Sequence, residues 1–449
     1  MAKKRRKTAP SPRREARDTG AIAGAVALAL VLAGTALAVD TEAAAAFDAP
    51  KRLIAVVGIA VAAAVTFAFP RPADAVHGPP LVAPPSARTL ALGLAAAALG
   101  LAFVSALASP RRDVALDAVR SVAVYALLLP LGASRTVAKA GRWLAGVFLA
   151  ATAINAVVSI LESRGLFHPF PLETFGSRQE TGAYAGNVGY LALTLALAVV
   201  FALGLALTQH RAAARLAAGL AAVLFAAALV VNRNLTALTA ALAGVAVLLV
   251  VLYRRRATLP MAAAVVAAAV AVAAYAPLRQ RAHELVAAAR TGNWDAIVSF
   301  RGGAWAAAGD MARERPWLGY GPGTFGAEYV PHRLAAEIRA RRRFVAPLMT
   351  SSYAESHCDY LQVFSDAGVP AGLAVVGAVA GLFAALGAAA WRRGSPETVL
   401  LFAVLAAGAT GALTWFPLQR PVTAVPLLLA AGRAWRISAD DGGSTEADA

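Results

Sequence analysis

Residues 187–207 read NVGYLALTLALAVVFALGLAL and contain no charged side chain. An α-helix of about 20 apolar residues crosses the ~30 Å hydrocarbon core of a bilayer, because each residue adds about 1.5 Å along the helix axis. Comparable runs lie near residues 20–39, 53–69, 89–108, 120–133, 143–162, 214–231, 235–253, 261–277, 370–390, 398–416 and 420–433. The sequence therefore predicts an all-α, polytopic membrane protein with about twelve transmembrane helices.

The composition agrees with a membrane environment. Hydrophobic residues make up 59% of the 449 residues and charged residues 15%, whereas soluble domains average about 45–50% and about 25%. One soluble core has no room for this surplus of apolar side chains. The single cysteine, Cys358, excludes an internal disulfide and a multi-cysteine metal site.

The basic residues predict the orientation of the helices. The chain has a net charge of +17 and begins MAKKRRKTAPSPRREAR, which we place in the cytoplasm and not on a nucleic acid, because cytoplasmic segments collect Lys and Arg. With that start, alternate loops on the same side are short and basic: ASRTVAKAGR (133–142), TQHRAAAR (208–215), YRRRATLP (253–260) and WRRGSPE (391–397). The segment SPRRDVALDAVR (109–120) falls on the outer side and is an exception to the rule.

This orientation divides the chain into five parts. They are a basic cytoplasmic tail (1–19), transmembrane helices 1–9 (20–277), a large helical periplasmic loop (278–369), transmembrane helices 10–12 (370–433) and a second cytoplasmic tail (434–449). The first apolar run ends in TALA, which leaves a cleavable signal peptide as an alternative to an uncleaved first helix. The length of the run favours the uncleaved helix, since signal-peptide cores usually span about 7–15 residues.

The large loop contains the chain's most varied polar chemistry. In SFRGGAWAAAGDMARERP (299–316), helical spacing places Arg301 and Trp305 one turn apart. A Gly/Pro turn cluster, WLGYGPGTF, follows and lacks the pattern of a P-loop. The basic segment PHRLAAEIRARRRF is predicted to form a helix on the membrane surface, against an anionic ligand or simply in solvent. The loop ends with SHCDYLQVFSDAGVPAG, in which Gly368 and Pro370 mark the entry to the next span.

Together these motifs resemble the O-antigen ligase/O-antigen polymerase superfamily of bacterial membrane glycosyltransferases. The resemblance includes the R-x3-W and G-x-G elements of the loop and the final segment that starts at His357. Upstream, SRQETGAYAGNVGYLAL is similar to the family's Arg–Gly–aromatic–Asn element, and NRNLTALTAAL to its short arginine turn. One position departs from the pattern, because Cys358 stands where the family usually has asparagine after the histidine.

The resemblance implies a reaction at the outer face of the bacterial inner membrane. A glycan would pass from undecaprenyl pyrophosphate to lipid A–core, with inversion at the anomeric carbon. His357 would act as the general base, since histidine can accept a proton near neutral pH. Arginines hold phosphate oxygens bidentately, and the candidates for the pyrophosphate are Arg178, Arg233 and Arg301.

Several neighbouring residues receive lesser roles. Possible supporting residues of the site are Asn187, Asp359 and Tyr360, whereas Trp305 and Cys358 are predicted to pack. His168 and His332 are predicted to be surface histidines. Two sparse acidic pairs, Asp40 with Glu42 and Asp113 with Asp117, leave a metal site open as an alternative, but neither a metal nor another cofactor is expected.

Other functions remain open at this stage. A polymerase would use the same chemistry with a growing glycan as acceptor, and a protein O-oligosaccharyltransferase would use a protein hydroxyl. A solute transporter is the alternative from another class. Transporters usually hold ionisable residues and broken helices near the bilayer midplane, whereas the predicted spans are nearly free of charge.

Overall fold

The computed structural model describes residues 12–68, 86–170, 181–344 and 353–440, and within these ranges the regular structure is helical. The helices are α1 (Pro12–Leu37), α2 (Ala49–Phe67), α3 (Ala87–Ala108), α4 (Arg112–Ala126), α5 (Leu128–Ala133), α6 (Arg135–Ser163), α7 (Val188–Thr208), α8 (Ala212–Asn232), α9 (Leu235–Tyr253), α10 (Thr258–Ala274), α11 (Ala276–Arg290), α12 (Trp294–Ile297), α13 (Gly302–Glu314), α14 (Phe325–Ala340), α15 (Asp359–Arg393), α16 (Pro396–Gly411) and α17 (Pro421–Asp440). Short 3₁₀ turns lie at Ala183–Ala185, Arg254–Arg256 and Pro417–Gln419. The all-α prediction is confirmed for the described ranges.

Nine helical segments in the described ranges are long and apolar enough to cross a membrane. The number rises to ten if α10 and α11, which meet at an angle of 100°, count as one bent span. The predicted span near 398–416 corresponds to the shorter apolar helix α16. The span near 420–433 corresponds to α17, which carries Arg433 and Arg436. The total of twelve crossings therefore stays a prediction.

Polar side chains at the helix starts explain several element boundaries. A Ser or Asn that precedes the first helical residue accepts a hydrogen bond from a backbone N–H of the first turn, which would otherwise lack a partner. Caps of this kind begin α3, α6, α7, α9 and α16, at Ser86, Ser134, Asn187, Asn234 and Ser395.

The two ends of the helical bundle differ in composition. We define the site end by residues 36–48, 183–187, 232–236 and 412–420. These residues are joined by contacts such as Asn155 Nδ2 to the carbonyl of Ala36 at 3.1 Å and Ala185 N to Asn155 Oδ1 at 3.2 Å. At the opposite end, Arg254 donates to the carbonyl of Trp391 and Arg433 pairs with Glu397. The four basic loops of the sequence analysis lie at this opposite end.

The large loop docks on the site end through its glycine turn. Tyr320 N donates to the carbonyl of Ser365 at 3.1 Å, and Gly321 N donates to the carbonyl of Asp366 at 2.7 Å. From α3, Ser105 Oγ donates to the carbonyl of Leu318 at 2.5 Å. The glycine turn is therefore a structural joint between the loop and the helices α3 and α15.

The docked loop also contacts the basic segment 109–120, which departs from the positive-inside rule. Arg111, in the connection between α3 and α4, pairs with Glu328 of α14 at 2.6 Å. The adjacent Ser109 Oγ donates to the carbonyl of Tyr320 at 2.5 Å. The segment at 109–120 thus contacts the large loop, and its Arg111 has an acidic partner there.

A break at Gly368 divides α15 into a short helix and a long one. Gly368 has φ 85° and ψ 171°, which is not helical, and Val369 N donates to the carbonyl of Pro316 at 2.7 Å. A Cβ at this position would lie 2.4 Å from the carbonyl oxygen of Trp317. Glycine is required here by both the backbone conformation and the close approach of the loop.

Substitution of Gly368 by alanine should therefore destabilise the protein by about 2–5 kcal/mol, as the sum of backbone strain and overpacking. The only cysteine, Cys358, is buried, so a thiol-reactive fluorogenic dye reports thermal unfolding of the purified protein. Gly219→Ala in α8 is the matched control, because no atom lies within 4 Å of its added Cβ. Equal melting temperatures for the two variants would contradict the assigned role of Gly368.

Candidate active site

His357 lies in the segment that precedes α15, with a left-handed backbone (φ 58°). Its Nδ1 is 3.0 Å from the carbonyl oxygen of Glu355. A carbonyl oxygen only accepts hydrogen bonds, so Nδ1 must carry the hydrogen in this contact. The neutral imidazole then has its lone pair on Nε2, which is the tautomer that a general base requires.

Aromatic rings surround the imidazole. The ring centroids of Tyr353, Phe416 and Trp415 lie 4.8, 5.0 and 5.2 Å from that of His357, all in edge-to-face arrangements. The indole Nε1 of Trp305, on α13, donates to the carbonyl of His357 at 3.4 Å. The R-x3-W spacing therefore has a structural meaning, since Arg301 and Trp305 both reach the surroundings of His357.

The surroundings of His357 favour its neutral form. Burial lowers the pKa of His357 to about 4, and the positive charges of Arg301 and Arg420 act in the same direction. The imidazole is thus unprotonated at neutral pH and ready to accept a proton. An anion that neutralises these guanidinium groups would raise the pKa of His357 and make it a stronger base.

Arg301 immediately precedes α13 and contacts two other parts of the chain. Its Cζ lies 5.1 Å from the ring centroid of Trp415, and its Nη1 donates to Thr236 Oγ1 at 3.1 Å. Trp415 is the ring that also contacts His357. The predicted base and one predicted phosphate-binding arginine therefore both contact a single indole ring.

Arg233 lies in the tight turn between α8 and α9, where its φ of 61° ends α8. Thr236, the hydrogen-bond partner of Arg301, belongs to the first turn of α9 that follows. Arg233 and Arg301 are thus at the same end of the bundle. The adjacent Asn232 is buried, and neither polar atom of its side chain has a partner in the described ranges.

Arg178 lies outside the described residues, and its role remains a prediction. The chain resumes at Thr181, whose carbonyl accepts a hydrogen bond from Ser159 Oγ of α6 at 2.9 Å. This contact belongs to the site end, where α6 ends.

The three predicted supporting residues make structural contacts. Asn187 caps α7 by accepting from Gly189 N at 2.7 Å, and Tyr360 Oη donates to the carbonyl of Ala409 at 3.3 Å. The buried Asp359 accepts from Leu418 N at 2.9 Å and from Gln419 Nε2 at 3.2 Å. Asp359 thereby holds the segment 412–420, which supplies Trp415 and Phe416, against His357.

The structure adds a residue that the sequence analysis did not select. Arg420 is 8% exposed and forms ion pairs with Asp48 (3.2 Å) and with Glu355. Its Cζ lies 4.6 Å from the ring centroid of Tyr190 and 5.1 Å from that of Phe416. A signal was present in the sequence, since LTWFPLQRP places a lone arginine at the end of the bundle opposite the basic loops.

His332 is buried, so its assignment to the surface was wrong, whereas His168 is exposed as predicted. One face of α14 packs on α13, where His332 Nδ1 lies 2.7 Å from Asp310 Oδ2 and 3.7 Å from Glu314 Oε2. These three groups could hold a metal ion by their spacing. The guanidinium of Arg339 also contacts Asp310, however, so this carboxylate already has a cationic partner from the chain.

Two of the remaining polar candidates, Cys358 and Asp40, have defined surroundings. Burial raises the pKa of the Cys358 thiol, which keeps it protonated and unreactive. Asp40 accepts from the backbone N of Glu42 at 3.1 Å in an exposed turn.

Part of the chain matches a known protein family. Residues 196–376 match the family model described as O-antigen ligase. The match includes Arg233, Arg301 and His357 and ends before Trp415 and Arg420. No curated protein matches the chain. The resemblance that the sequence motifs indicated is thereby confirmed.

Proposed function

We propose that this protein, a member of the O-antigen ligase/polymerase superfamily by its residues 196–376, transfers a glycan from undecaprenyl pyrophosphate to lipid A–core. The observation that carries the proposal is that His357, whose lone pair is on Nε2, and Arg301 both contact the ring of Trp415. A base and a fixed cation at one site are what this transfer requires.

The reaction begins at the acceptor hydroxyl. Nε2 of His357 takes the hydroxyl proton while the oxygen attacks the anomeric carbon of the glycan. The bond between that carbon and the pyrophosphate oxygen breaks, and the electron pair leaves with the lipid pyrophosphate. Direct attack inverts the anomeric configuration, and the proton on His357 then passes to solvent or to the departing phosphate.

The arginines act on the leaving group. Negative charge grows on the pyrophosphate oxygens as the glycosidic bond breaks, and guanidinium groups stabilise it without a change in their own protonation. Arg301 and Arg233 are assigned this role, together with Arg178. Binding of the pyrophosphate near Arg301 would also raise the pKa of His357, so the base strengthens when the donor is in place.

The site is assigned to the periplasmic face of the bacterial inner membrane. The basic loops lie at the opposite end of the bundle, and cytoplasmic loops carry the excess of Lys and Arg. The lipid-linked donor then reaches the site from the outer leaflet.

The test uses the purified protein in lipid nanodiscs with an undecaprenyl-pyrophosphate-linked oligosaccharide and lipid A–core. We expect the lipid A–core to gain the glycan in one step, seen as a shifted band on gels and by mass spectrometry. Growth of the carrier-linked glycan without lipid A–core would identify a polymerase. Transfer to added protein would identify an O-oligosaccharyltransferase. Uptake of free glycan into proteoliposomes without any transfer would support the transporter and contradict the proposal.

A further inference from the structure

Arg420 connects three parts of the chain that are far apart in sequence. Its Nη1 lies 3.2 Å from Asp48 Oδ2, in the connection between α1 and α2, and its Nη2 contacts Glu355 in the segment before α15. The rings of Tyr190 and Phe416 stack on its guanidinium. Only 8% of Arg420 is exposed, so solvent does not screen these pairs strongly.

We propose that Arg420 is a positioning residue for His357, which it orients through Glu355 while Asp48 fixes Arg420 itself. The side chain of Glu355 binds Arg420, and the main-chain carbonyl of the same residue accepts the Nδ1–H of His357. The inference rests on the proposed function and extends it to a residue beyond the matched range 196–376.

The backbone between Glu355 and His357 transmits the constraint. Ser356 N donates to Gln362 Oε1 at 2.7 Å, and Ser356 Oγ donates to the carbonyl of Cys358 at 2.8 Å. Ser356 is fully buried. These two hydrogen bonds fix Ser356, and Arg420 fixes the side chain of Glu355. The carbonyl of Glu355, which lies between them, therefore has little freedom to move. The tautomer and direction of the imidazole follow from that carbonyl.

The charges that face His357 come from several elements. Arg301 precedes α13, Arg420 precedes α17, and Glu355 lies two residues before the histidine. Asp48 belongs to the same group through Arg420, and Tyr353 is the neighbouring phenol. Loss of the charge of Arg420 removes a cation that opposes protonation of His357. It also takes the ion-pair partner from Glu355, whereas Asp48 keeps its second partner, Arg52, at 2.7 Å. The imidazolium form is then favoured, so the acid limb of the pH profile moves to higher pH.

The experiment compares Arg420→Gln, Arg420→Lys and the matched control Arg433→Gln in the nanodisc transfer assay. Arg433 pairs with Glu397 at 2.6 Å at the opposite end of the bundle, so its loss costs an ion pair away from the site. Arg420→Gln should lower kcat by roughly 10- to 100-fold, as expected for a misplaced catalytic group, with little change in KM for the donor. The acid limb of the pH profile of Arg420→Gln should lie about one pH unit or more above that of the wild type. Arg420→Lys should recover part of the lost kcat and part of the shift in the acid limb. Arg433→Gln should have the kcat and the pH profile of the wild type.

Other outcomes separate the two proposals. A wild-type protein without transferase activity would remove the proposed function itself. An active wild type with an Arg420→Gln variant of unchanged kcat and pH profile would overturn the positioning role alone. A rise in KM at constant kcat would also overturn it, because Arg420 would then bind the substrate. If Arg420→Gln does not fold by the Cys358 dye assay, Glu355→Gln decides. This variant keeps the main-chain carbonyl but removes the anion that binds Arg420, so a wild-type kcat would overturn the role. A fall in kcat without a rise of the acid limb would support it, because the positive charge of Arg420 remains.

Discussion

Replacement of His357 by glutamine should lower kcat for glycan transfer by at least ~10²-fold, with KM for the lipid-linked donor nearly unchanged. General-base catalysis contributes about 10²–10⁴-fold in enzymes, and glutamine offers hydrogen bonds but no proton acceptor of comparable strength. In the proposed mechanism the arginines hold the donor, so its affinity should persist without the imidazole. Initial rates in nanodiscs, measured with the donor and lipid A–core varied separately, give both constants.

The pH dependence of the wild type adds a second test of His357. In the free protein, its pKa is lowered to about 4, so the base form persists at every pH above that value. The profile of kcat/KM, which reports the free enzyme, should therefore be flat from about pH 5 to pH 8. The profile of kcat should show its acid limb at higher pH, because bound pyrophosphate neutralises Arg301 and raises the pKa of His357.

His168→Gln is the matched control for this variant, because His168 is exposed. It should leave both kinetic constants unchanged. A His357→Gln variant that folds and retains more than about half of the wild-type kcat would show that another group accepts the proton.

The spans were predictable from the sequence for a simple physical reason. A backbone in hydrocarbon must satisfy its own hydrogen bonds, so each crossing needs a long uninterrupted apolar helix. The runs at 187–207 and 235–253 correspond closely to α7 and α9. The end of α10 was predictable, because the apolar run ends at Pro277, at the start of α11. The angle of 100° between α10 and α11 was not, because a proline marks a helix boundary without setting the direction of the next helix.

The candidate site could be selected in part from the sequence. His357 and Arg301 belong to local motifs whose spacing is visible in one stretch of chain. Arg420, Glu355 and Asp48 form no such pattern, because the contacts of Arg420 with Glu355 and Asp48 join positions 65 and 372 residues apart. His332 was assigned to the surface, in a segment rich in arginine. The structure instead turns one face of α14 towards Asp310.

The polar residues at helix starts show another limit of predicting site residues from the sequence. Asn187 and Asp359 stand out in an apolar sequence, and the resemblance to a known family suggested that they support the site. Their observed partners are backbone N–H groups and a glutamine amide. A capping side chain satisfies donors that membrane helices cannot leave unpaired. Conspicuous polarity therefore does not distinguish a cap from a catalytic residue until the fold is known.

Substitution of Arg301 by alanine should lower kcat by about 10²–10³-fold, the loss found when one donor to a developing negative charge is removed. The guanidinium stacks on Trp415 and donates to Thr236 Oγ1, which fixes its direction. Lysine has a flexible point charge without the planar fork, so Arg301→Lys should restore only a small part of the rate. Transfer rates in nanodiscs at saturating donor give the comparison.

The pH dependence of the Arg301→Ala variant should also differ from that of the wild type, because the charge of Arg301 is lost. This charge is among the causes that lower the pKa of His357, so its removal should move the acid limb of kcat/KM upward, towards the ordinary histidine value of about 6.5. A variant damaged only in packing would lose rate without this shift. Arg281→Ala, which breaks a loop ion pair with Glu284 at 2.9 Å, is the control and should change neither quantity.

The Thr236→Val variant tests the orientation of the Arg301 side chain without changing its charge. Valine removes the hydrogen-bond acceptor and keeps the guanidinium near Trp415, so kcat should fall by about tenfold or less while the acid limb stays in place. The double variant Arg301→Ala with His357→Gln should be little worse than His357→Gln alone, since residues that act on one transition state lose their effects together. If the double variant instead lost the product of the two single-variant factors in kcat, the arginine and the histidine would act in separate steps. That result would contradict a single site built around Trp415.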